Sequence, residues 1–222
     1  LKDLPDKIEK NMAARMEQKQ KELYQAHAQR LALMLQNQTE EEFADSRFQV
    51  LSELTRLRQL CCDPALVYEN YEGGSAKLDL CIELIQSAVE SGHKILLFSQ
   101  FTSMIEILTA RLQEESISYF VLQGSTKKEQ RAQMVEQFNR DDTSVFCISL
   151  KAGGTGLNLT GADIVIHYDP WWNVAVENQA TDRAHRIGQK NVVTVYKLIA
   201  KGTIEEKIIK LQQMKKELAE EI

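Results

Sequence analysis

Two arginines lie three residues apart in the run QATDRAHRIGQ, which is rich in groups that could bind phosphate. On a continuous helix Gln179, Arg183 and Arg186 would share one face, so both guanidinium groups would project together. A planar guanidinium suits phosphate oxygens and can stabilise the charge that develops in phosphoryl transfer. The run therefore predicts a phosphate clamp. The alternative is a surface ion-pair cluster in which Asp182 or Glu177 neutralises the arginines.

A glycine-rich loop, KAGGTG, directly follows a predicted buried strand. The adjacent Gly153 and Gly154 allow backbone N–H groups to approach an anion, because no Cβ obstructs them. A tight structural turn and a phosphate-binding loop both fit this pattern. A dinucleotide-binding fingerprint fits poorly, because Leu159 stands where its third glycine belongs.

Two more polar or aromatic segments follow predicted strands. Trp171 and Trp172 come after Asp169 and Pro170, at the kind of strand end where α/β sheets bind ligands. These rings either fill the core or line a nucleic-acid groove. The segment 123–126, QGST, brings hydroxyls and amides to a predicted helix start, which makes either an anion site or an ordinary cap.

The elements that position these segments are predicted by short apolar runs rich in β-branched and aromatic residues. Because the runs do not alternate with polar residues and helical stretches separate them, they predict a parallel sheet covered by helices on both faces. The predicted strands are 95–98, 119–122, 145–150, 163–168 and 192–199. The predicted helices between them are 101–115, 127–140 and 173–187. Two capping boxes, Thr126 with Glu129 and Thr203 with Glu206, predict where the second of these helices and a C-terminal helix begin.

The first 74 residues have a different pattern. Imperfect alternation over 7–16 predicts an edge strand, and a helical stripe over 17–35 predicts a first helix. A capping box of Thr39 and Glu42 predicts a second helix over 40–61, so that the two helices form a hairpin. We therefore expect an initial strand and a protruding helical hairpin with its linker over 1–74. An α/β lobe would cover 75–202, and a C-terminal helix would cover 203–222.

Composition limits the classes of protein that remain. Apolar residues make up 43% and charged residues 27%, which permits a packed core and excludes wholesale disorder. No apolar stretch approaches the roughly 20 residues of a membrane helix. The four cysteines form no C-x-x-C pair and the four histidines are scattered, so we predict no metal site and buried, reduced cysteines. The net charge of −5 hides a mildly basic segment, 119–202, so the acidic total does not exclude DNA.

Together these segments resemble the second RecA-like lobe of Swi/Snf-type DNA-dependent ATPases. The matching runs are KILLFSQF, LQGST, SLKAGGTGLNLTGADIVIHYDPWWN and QATDRAHRIGQ, in that order, preceded by LKDLPDKIE and LRQLCCDP. The likeness covers nearly the whole chain, and WWN with DRAHRIGQ is highly specific, since lobes of RNA helicases usually carry a different arginine motif. One departure is Val174, where the family often has proline.

The resemblance implies that the chain is half of an ATPase active site, cut from a longer protein. The chain begins at Leu1 without a signal peptide, and it contains neither a G-x-x-x-x-G-K-[ST] loop nor an Asp-Glu pair. An absent N-terminal RecA-like lobe would therefore bind ATP and Mg²⁺, while this lobe supplies Arg183 and Arg186 across the cleft as catalytic residues. We predict that the isolated fragment is inactive. The nucleotide-binding residues expected here are Gly154, Gly156, Gln179 and Asp182.

The resemblance also implies that this lobe grips double-stranded DNA, so that the longer protein translocates along the duplex or remodels complexes on it. The expected DNA contacts are Gln123, Gly124, Ser125, Lys151, Gly153, Trp172 and Asn173. Other partners would bind through the helical hairpin. We expect an intracellular location, nuclear in a eukaryote and in the cytoplasm or nucleoid of a prokaryote. Two alternatives are a non-catalytic binding module with the same fold, which the intact arginines disfavour, and an RNA helicase lobe.

Overall fold

A computed structural model describes residues 3–150 and 157–221 of the 222-residue chain. Four of the predicted site residues, Lys151, Gly153, Gly154 and Gly156, lie outside the described residues. Their assignments to DNA and nucleotide therefore stay predictions.

A six-stranded sheet of parallel strands lies at the centre of the fold. Its strands are β1 (Lys7–Ala14), β2 (Ile95–Ser99), β3 (Tyr119–Leu122), β4 (Val145–Ser149), β5 (Ile164–His167) and β6 (Val193–Ala200). They are ordered β1-β6-β5-β2-β4-β3, and every neighbouring pair is parallel. The predicted N-terminal edge strand is confirmed, because β1 pairs with β6 over its whole length.

The helices pack on both faces of the sheet and form the predicted hairpin. They are α1 (Gln18–Gln36), α2 (Glu40–Asp45), α3 (Arg47–Cys62), α4 (Ala76–Glu90), α5 (Thr102–Glu114), α6 (Lys128–Arg140), α7 (Val174–Thr181) and α8 (Ile204–Glu220). A short 3₁₀ helix, Pro64–Leu66, follows α3. The predicted α/β class, with a RecA-like parallel sheet flanked by helices, is confirmed. No helix in the described ranges is long and apolar enough to cross a membrane.

The continuous apolar runs are explained by two cores, one on each face of the sheet. Side chains alternate along a strand, so Ile95 and Leu97 of β2 face the core formed with α4 and α5. Leu96 and Phe98 face the other core, which includes residues of α6 and α7. A third apolar cluster lies inside the hairpin. All four cysteines are buried.

The predicted helix starts have different outcomes. The capping box at Thr39 is confirmed, because the Thr39 hydroxyl accepts from the Glu42 N–H and the Glu42 carboxylate accepts from the Thr39 N–H. The helix over 40–61 is divided at Ser46 into α2 and α3. The capping box at Thr126 is wrong: α6 begins at Lys128, and the Thr126 hydroxyl accepts from the Gln123 N–H instead.

The C-terminal helix begins where the sequence predicts, with different capping partners. The Thr203 hydroxyl accepts from the Glu205 N–H at 3.1 Å. The Glu206 carboxylate accepts from the Gly202 N–H at 2.8 Å, one residue before the cap. The cap is therefore confirmed, but the reciprocal contact of a capping box is not formed.

The helix predicted over 173–187 is too long, because α7 ends at Thr181. A continued helix would use the carbonyls of Arg183 and Ala184 for its own hydrogen bonds. Instead, the Arg183 carbonyl accepts from the Leu159 N–H at 2.9 Å. The Ala184 carbonyl accepts from the Gln189 side chain at 3.0 Å. A long-range contact with Leu159 and a local contact with Gln189 therefore accompany a series of tight turns in place of the last helical turns.

Candidate nucleotide and nucleic-acid site

The candidate segments follow neighbouring strands at one edge of the sheet. Because all the strands are parallel, their carboxyl ends meet at the same edge, where open α/β sheets bind ligands. Gln100 follows β2, Gln123 follows β3, and Asp169 lies two residues after the end of β5. The segments that follow β2, β3 and β5 therefore share one edge of the sheet.

Arg183 and Arg186 do not share a helical face, since α7 ends before them. Arg183 is buried, and its guanidinium carbon lies 5.5 Å from the centroid of the Phe98 ring. Burial lowers the pKa of Arg183, although an arginine stays protonated at neutral pH. Arg186 is half-buried and donates through Nη1 to the carbonyl of Leu157 at 3.3 Å. The two arginines are thus held by different contacts.

The alternative to a phosphate clamp is a surface cluster in which Glu177 or Asp182 neutralises the two arginines. Glu177 is buried and forms an ion pair with Lys197 at 3.1 Å, and it also accepts from the Trp171 N–H at 2.6 Å. Its carboxylate is therefore committed to the loop before α7. Asp182 and Gln179 are exposed, where a ligand could reach them.

The loop 169–172, Asp-Pro-Trp-Trp, is anchored by a buried carboxylate. Asp169 is 1% exposed and accepts from the Ser99 hydroxyl and from the Gln100 N–H. Burial raises the pKa of Asp169, and the positive charge of Lys77 opposes that rise. These contacts join the end of β5 to the end of β2.

The two tryptophans of this loop have different environments. Trp171 is half-buried, whereas Trp172 is 37% exposed. The side chain of Asn173 accepts from the Ala175 N–H at 3.0 Å and caps α7. The first turn of α7 is therefore formed, although Val174 replaces the proline common in the family. From the sequence, the two rings could either fill the core or line a nucleic-acid groove. The structure places Trp172 at the surface.

The segment 123–126 is held by Arg131, a residue that sequence reasoning missed. Gln123, Gly124 and Ser125 are exposed. The Arg131 guanidinium donates to the carbonyls of Thr126 at 3.0 Å and Gly124 at 3.2 Å. A single side chain of α6 therefore fixes the backbone of the turn that follows β3.

Lys77 and Glu205 form a fully buried ion pair below the Asp-Pro-Trp-Trp loop, and sequence reasoning missed this pair too. Their charged atoms are 2.7 Å apart, and Lys77 also donates to the carbonyl of Tyr168 at 2.9 Å. Burial alone would lower the pKa of Lys77, but the carboxylate of Glu205 raises it above its ordinary value. The pair connects α4, α8 and the end of β5. Within the described ranges, no group of three or more His, Cys, Asp and Glu residues could hold a metal ion.

His167 is a buried histidine at the end of β5, and it should make the stability of the lobe depend on pH. It bonds to the Thr181 hydroxyl at 3.0 Å and stacks on Phe98. Burial lowers the pKa of His167 to about 4, against about 6.5 in an unfolded chain. Between these values only the unfolded state binds the proton, so the free energy of unfolding should fall as pH falls, by up to about 3 kcal/mol from this group.

Chemical denaturation at a series of pH values would test this expectation. His167→Gln should flatten the change between about pH 6.5 and 4, since Gln does not titrate there. The comparison variant is His93→Gln, which removes an exposed histidine that pairs with Asp163 at 2.8 Å and should leave the contribution of His167 in place. If the free energy of unfolding changed with pH in the same way in the wild type and in His167→Gln, His167 would not be the source of the pH dependence.

Comparison with known proteins identifies the class. Residues 76–188, about half of the chain, match the family model of the helicase conserved C-terminal domain. An uncharacterized ATP-dependent helicase of Mycoplasma pneumoniae is 42% identical over 222 residues, covering 98% of this chain and 21% of that protein. The chain spans about a fifth of the length of the first curated relatives that it matches.

Two solved structures from Sulfolobus solfataricus share the fold. The C-terminal domain of its SWI2/SNF2 ATPase is 33% identical, with a TM-score of 0.78, and the match covers 95% of this chain and 87% of that chain. The core of the same ATPase in complex with double-stranded DNA is 34% identical, with a TM-score of 0.81, covering 96% of this chain and 45% of that one. These matches define the class as a RecA-like C-terminal lobe of a helicase-type ATPase. The chain belongs to the Swi/Snf family.

Proposed function

We propose that this chain is the moving C-terminal lobe of an ATP-driven translocase on double-stranded DNA. ATP binding would close this lobe on an N-terminal RecA-like lobe, and hydrolysis would reopen the pair. Alternating grip on the DNA backbone then produces motion along the duplex, or displacement of bound protein, without strand separation. The observation that carries this proposal is the match, over 96% of the chain, to an ATPase core solved with double-stranded DNA.

The nucleotide would be shared between the lobes. When the γ-phosphoryl group of ATP is transferred, negative charge in the transition state must be stabilised. Mg²⁺ and positively charged side chains can provide this stabilisation. In this lobe Arg186 fits that need, because its guanidinium is half-buried and donates to a neutral carbonyl that an anion would outcompete. Gln179 and Asp182 are exposed beside it in sequence. Gly154 and Gly156 complete the proposed nucleotide-binding set, and Mg²⁺ would be held by the other lobe.

The DNA would lie against the edge where the strands end. Gln123, Gly124, Ser125 and Trp172 are exposed there, and Asn173 lies beside Trp172 at the start of α7. Lys151 and Gly153 would contact phosphates from the loop after β4. Contacts of this kind position a protein on DNA without reading its sequence. By this proposal the protein is nuclear in a eukaryote and lies in the cytoplasm or nucleoid of a prokaryote.

A second candidate function is protein binding by the helical hairpin. Large apolar side chains are exposed on it, including Leu33, Phe48 and Leu51. Such side chains can anchor a partner. A pure binding module would not need Arg183 and Arg186, so loss of ATPase activity on their substitution would separate the two functions. The third reading, an RNA helicase lobe, predicts that RNA stimulates the ATPase of the longer protein better than duplex DNA does.

Salt dependence of DNA binding provides the direct test. We expect the purified 222-residue chain to bind duplex DNA without turning over ATP. Each phosphate contact adds about 0.9 to the slope of log affinity against log salt, so Lys151→Ala should flatten that slope by about one contact for every duplex sequence. Arg140→Ala is the matched control, because Arg140 ends α6, before β4, at the opposite edge of the sheet. An unchanged slope for Lys151→Ala would reject its proposed contact with phosphate. Steady ATP turnover by the purified 222-residue chain would reject the proposal that this lobe holds only half of the ATPase active site.

A further inference from the structure

Arg58 is a buried arginine on α3 that meets three aromatic rings. Its guanidinium carbon lies 5.9 Å from the ring centroid of Phe101 and 5.7 Å from those of both Trp171 and Trp172. Its Nη2 donates to the carbonyl of Pro170 at 3.2 Å. One side chain of the hairpin therefore contacts both the backbone and the rings of the loop after β5.

The geometry of these contacts suits the planar side chain of an arginine. A guanidinium can present its face to aromatic rings while its edge donates a hydrogen bond in its own plane. A lysine ammonium is a compact point charge that lacks this planar fork, so it would meet the three rings and the carbonyl with a different geometry. Burial lowers the pKa of Arg58, and the negative charge of Asp169 opposes that effect. Arg58 therefore stays charged in a place where its desolvation is compensated by the loop.

The opposite side of the loop is fixed through its backbone. The Gln212 amide on α8 donates to the carbonyl of Trp171 and to the carboxylate of Glu177 at 2.9 Å. These contacts set the path of the main chain at Trp171. They leave the orientation of the two indole rings to Arg58 and the surrounding side chains.

We propose that Arg58 is a positioning residue that holds the indole of Trp172 in the orientation that meets duplex DNA. This inference rests on the proposed DNA role of the loop. Arg58 itself is only 7% exposed, so it acts through Trp171 and Trp172 and not by touching phosphate. The same contact connects the loop that would face DNA to the hairpin. A displacement of α3 would therefore move Trp172 through the side chain of Arg58.

Intrinsic fluorescence tests the positioning role without DNA. Trp171 and Trp172 are the two tryptophans of the chain, so tryptophan emission from the full 222-residue protein reports on this loop alone. In Arg58→Ala and Arg58→Lys we expect emission shifted to the red and stronger quenching by acrylamide. Arg56→Ala is the matched control, since that side chain is 40% exposed and pairs with Glu53 on the same helix. Wild-type emission and quenching in both Arg58 variants would overturn the proposal.

Circular dichroism keeps this test decisive. If Arg58→Ala does not fold, the conservative Arg58→Lys, which retains the charge and most of the volume, decides the outcome. A folded Arg58→Lys with wild-type fluorescence would show that a positive charge alone suffices and that the guanidinium does not position the rings, which would overturn the proposal.

DNA binding separates failure of this inference from failure of the proposed function. Arg58→Lys should weaken duplex binding by about tenfold at every salt concentration. The side chains of Trp171 and Trp172 would then have to become ordered on binding, which costs free energy. The salt slope should not change, whereas a loss of about 0.9 would mean that Arg58 contacts phosphate and would overturn the positioning role. Trp172→Ala tests the DNA role itself. If it leaves duplex affinity unchanged while Arg58→Lys still alters fluorescence, the DNA role fails and the positioning of the rings stands.

Discussion

By the proposed function, Arg186→Ala in a protein that carries both lobes is expected to reduce the maximal rate of DNA-stimulated ATP hydrolysis by about 10³- to 10⁵-fold, with little change in ATP affinity. A guanidinium aimed at the transferring phosphoryl group acts mostly where charge develops, so it stabilises the transition state more than bound ATP. Steady-state kinetics at saturating duplex DNA, with ATP binding measured separately, would check the result. Weaker ATP binding with an intact maximal rate would indicate a plain binding role.

Arg183→Ala should have a mixed effect. Because Arg183 is buried and lies over Phe98, its removal should also destabilise the lobe. Turnover therefore has to be compared at a temperature where thermal melts show that the variant is folded. Arg140→Ala again provides the control, since Arg140 is an exposed arginine whose guanidinium pairs with Glu136 on α6. A rate loss in Arg140→Ala equal to that in Arg186→Ala would mean that the assay reports general damage.

Much of the fold could be predicted because each strand carries its own signal. A strand buried on both faces is nearly continuously apolar, as in Ile95–Ser99 and Val145–Ser149, where all five residues are buried and only the last is polar. The first strand gave a weaker signal, because β1 is at an edge and most of its side chains are exposed. Its pairing with β6, from the other end of the chain, is a long-range contact that local periodicity does not contain.

The end of α7 could not be predicted for the same reason. Residues 182–187 have acceptable helix propensity, but the carbonyls of Arg183 and Ala184 bond to Leu159 and Gln189. The Gln189 side chain also joins this segment to the carbonyls of Thr160 and Ala162. Because α7 ends before Arg183, the prediction that Arg183 and Arg186 project from one helical face is also wrong. The segment that carries them is shaped by loops that are distant in sequence.

The candidate site could be predicted only where its residues end strands. The topology of a parallel sheet brings those positions to one edge, so the segments at 123–126 and 169–172 were found from sequence. Arg58, Arg131 and Lys77 were missed, because a charged residue within a helix usually faces water. Only tertiary packing distinguishes these three from ordinary surface charges. Arg58 lies within LRQLCCDP, and its position beside the buried Leu57 and Leu60 was the one available sign.

Lys77→Met should lower the free energy of unfolding by about 3–5 kcal/mol, the effect of breaking a buried ion pair by removing one partner. The carboxylate of Glu205 would be left in the core without its counter-charge, close to the buried Asp169. Equilibrium unfolding in urea at neutral pH would measure the loss. Arg140→Met, which removes one partner of an exposed pair, should change stability little.

The double variant Lys77→Met with Glu205→Leu separates the cost of an unpaired charge from the value of the pair. Replacing both partners of a buried pair with apolar residues is often neutral or stabilising, so the double variant should recover most of the stability that Lys77→Met loses. Lys77 also donates to the Tyr168 carbonyl, and Glu205 accepts from the Ala200 N–H, so those two backbone groups would stay unsatisfied. Recovery should therefore be incomplete. If Lys77→Met alone were as stable as the wild type, Glu205 would have to become a neutral acid in the core, and the pair would not be what holds α4 and α8 to the end of β5.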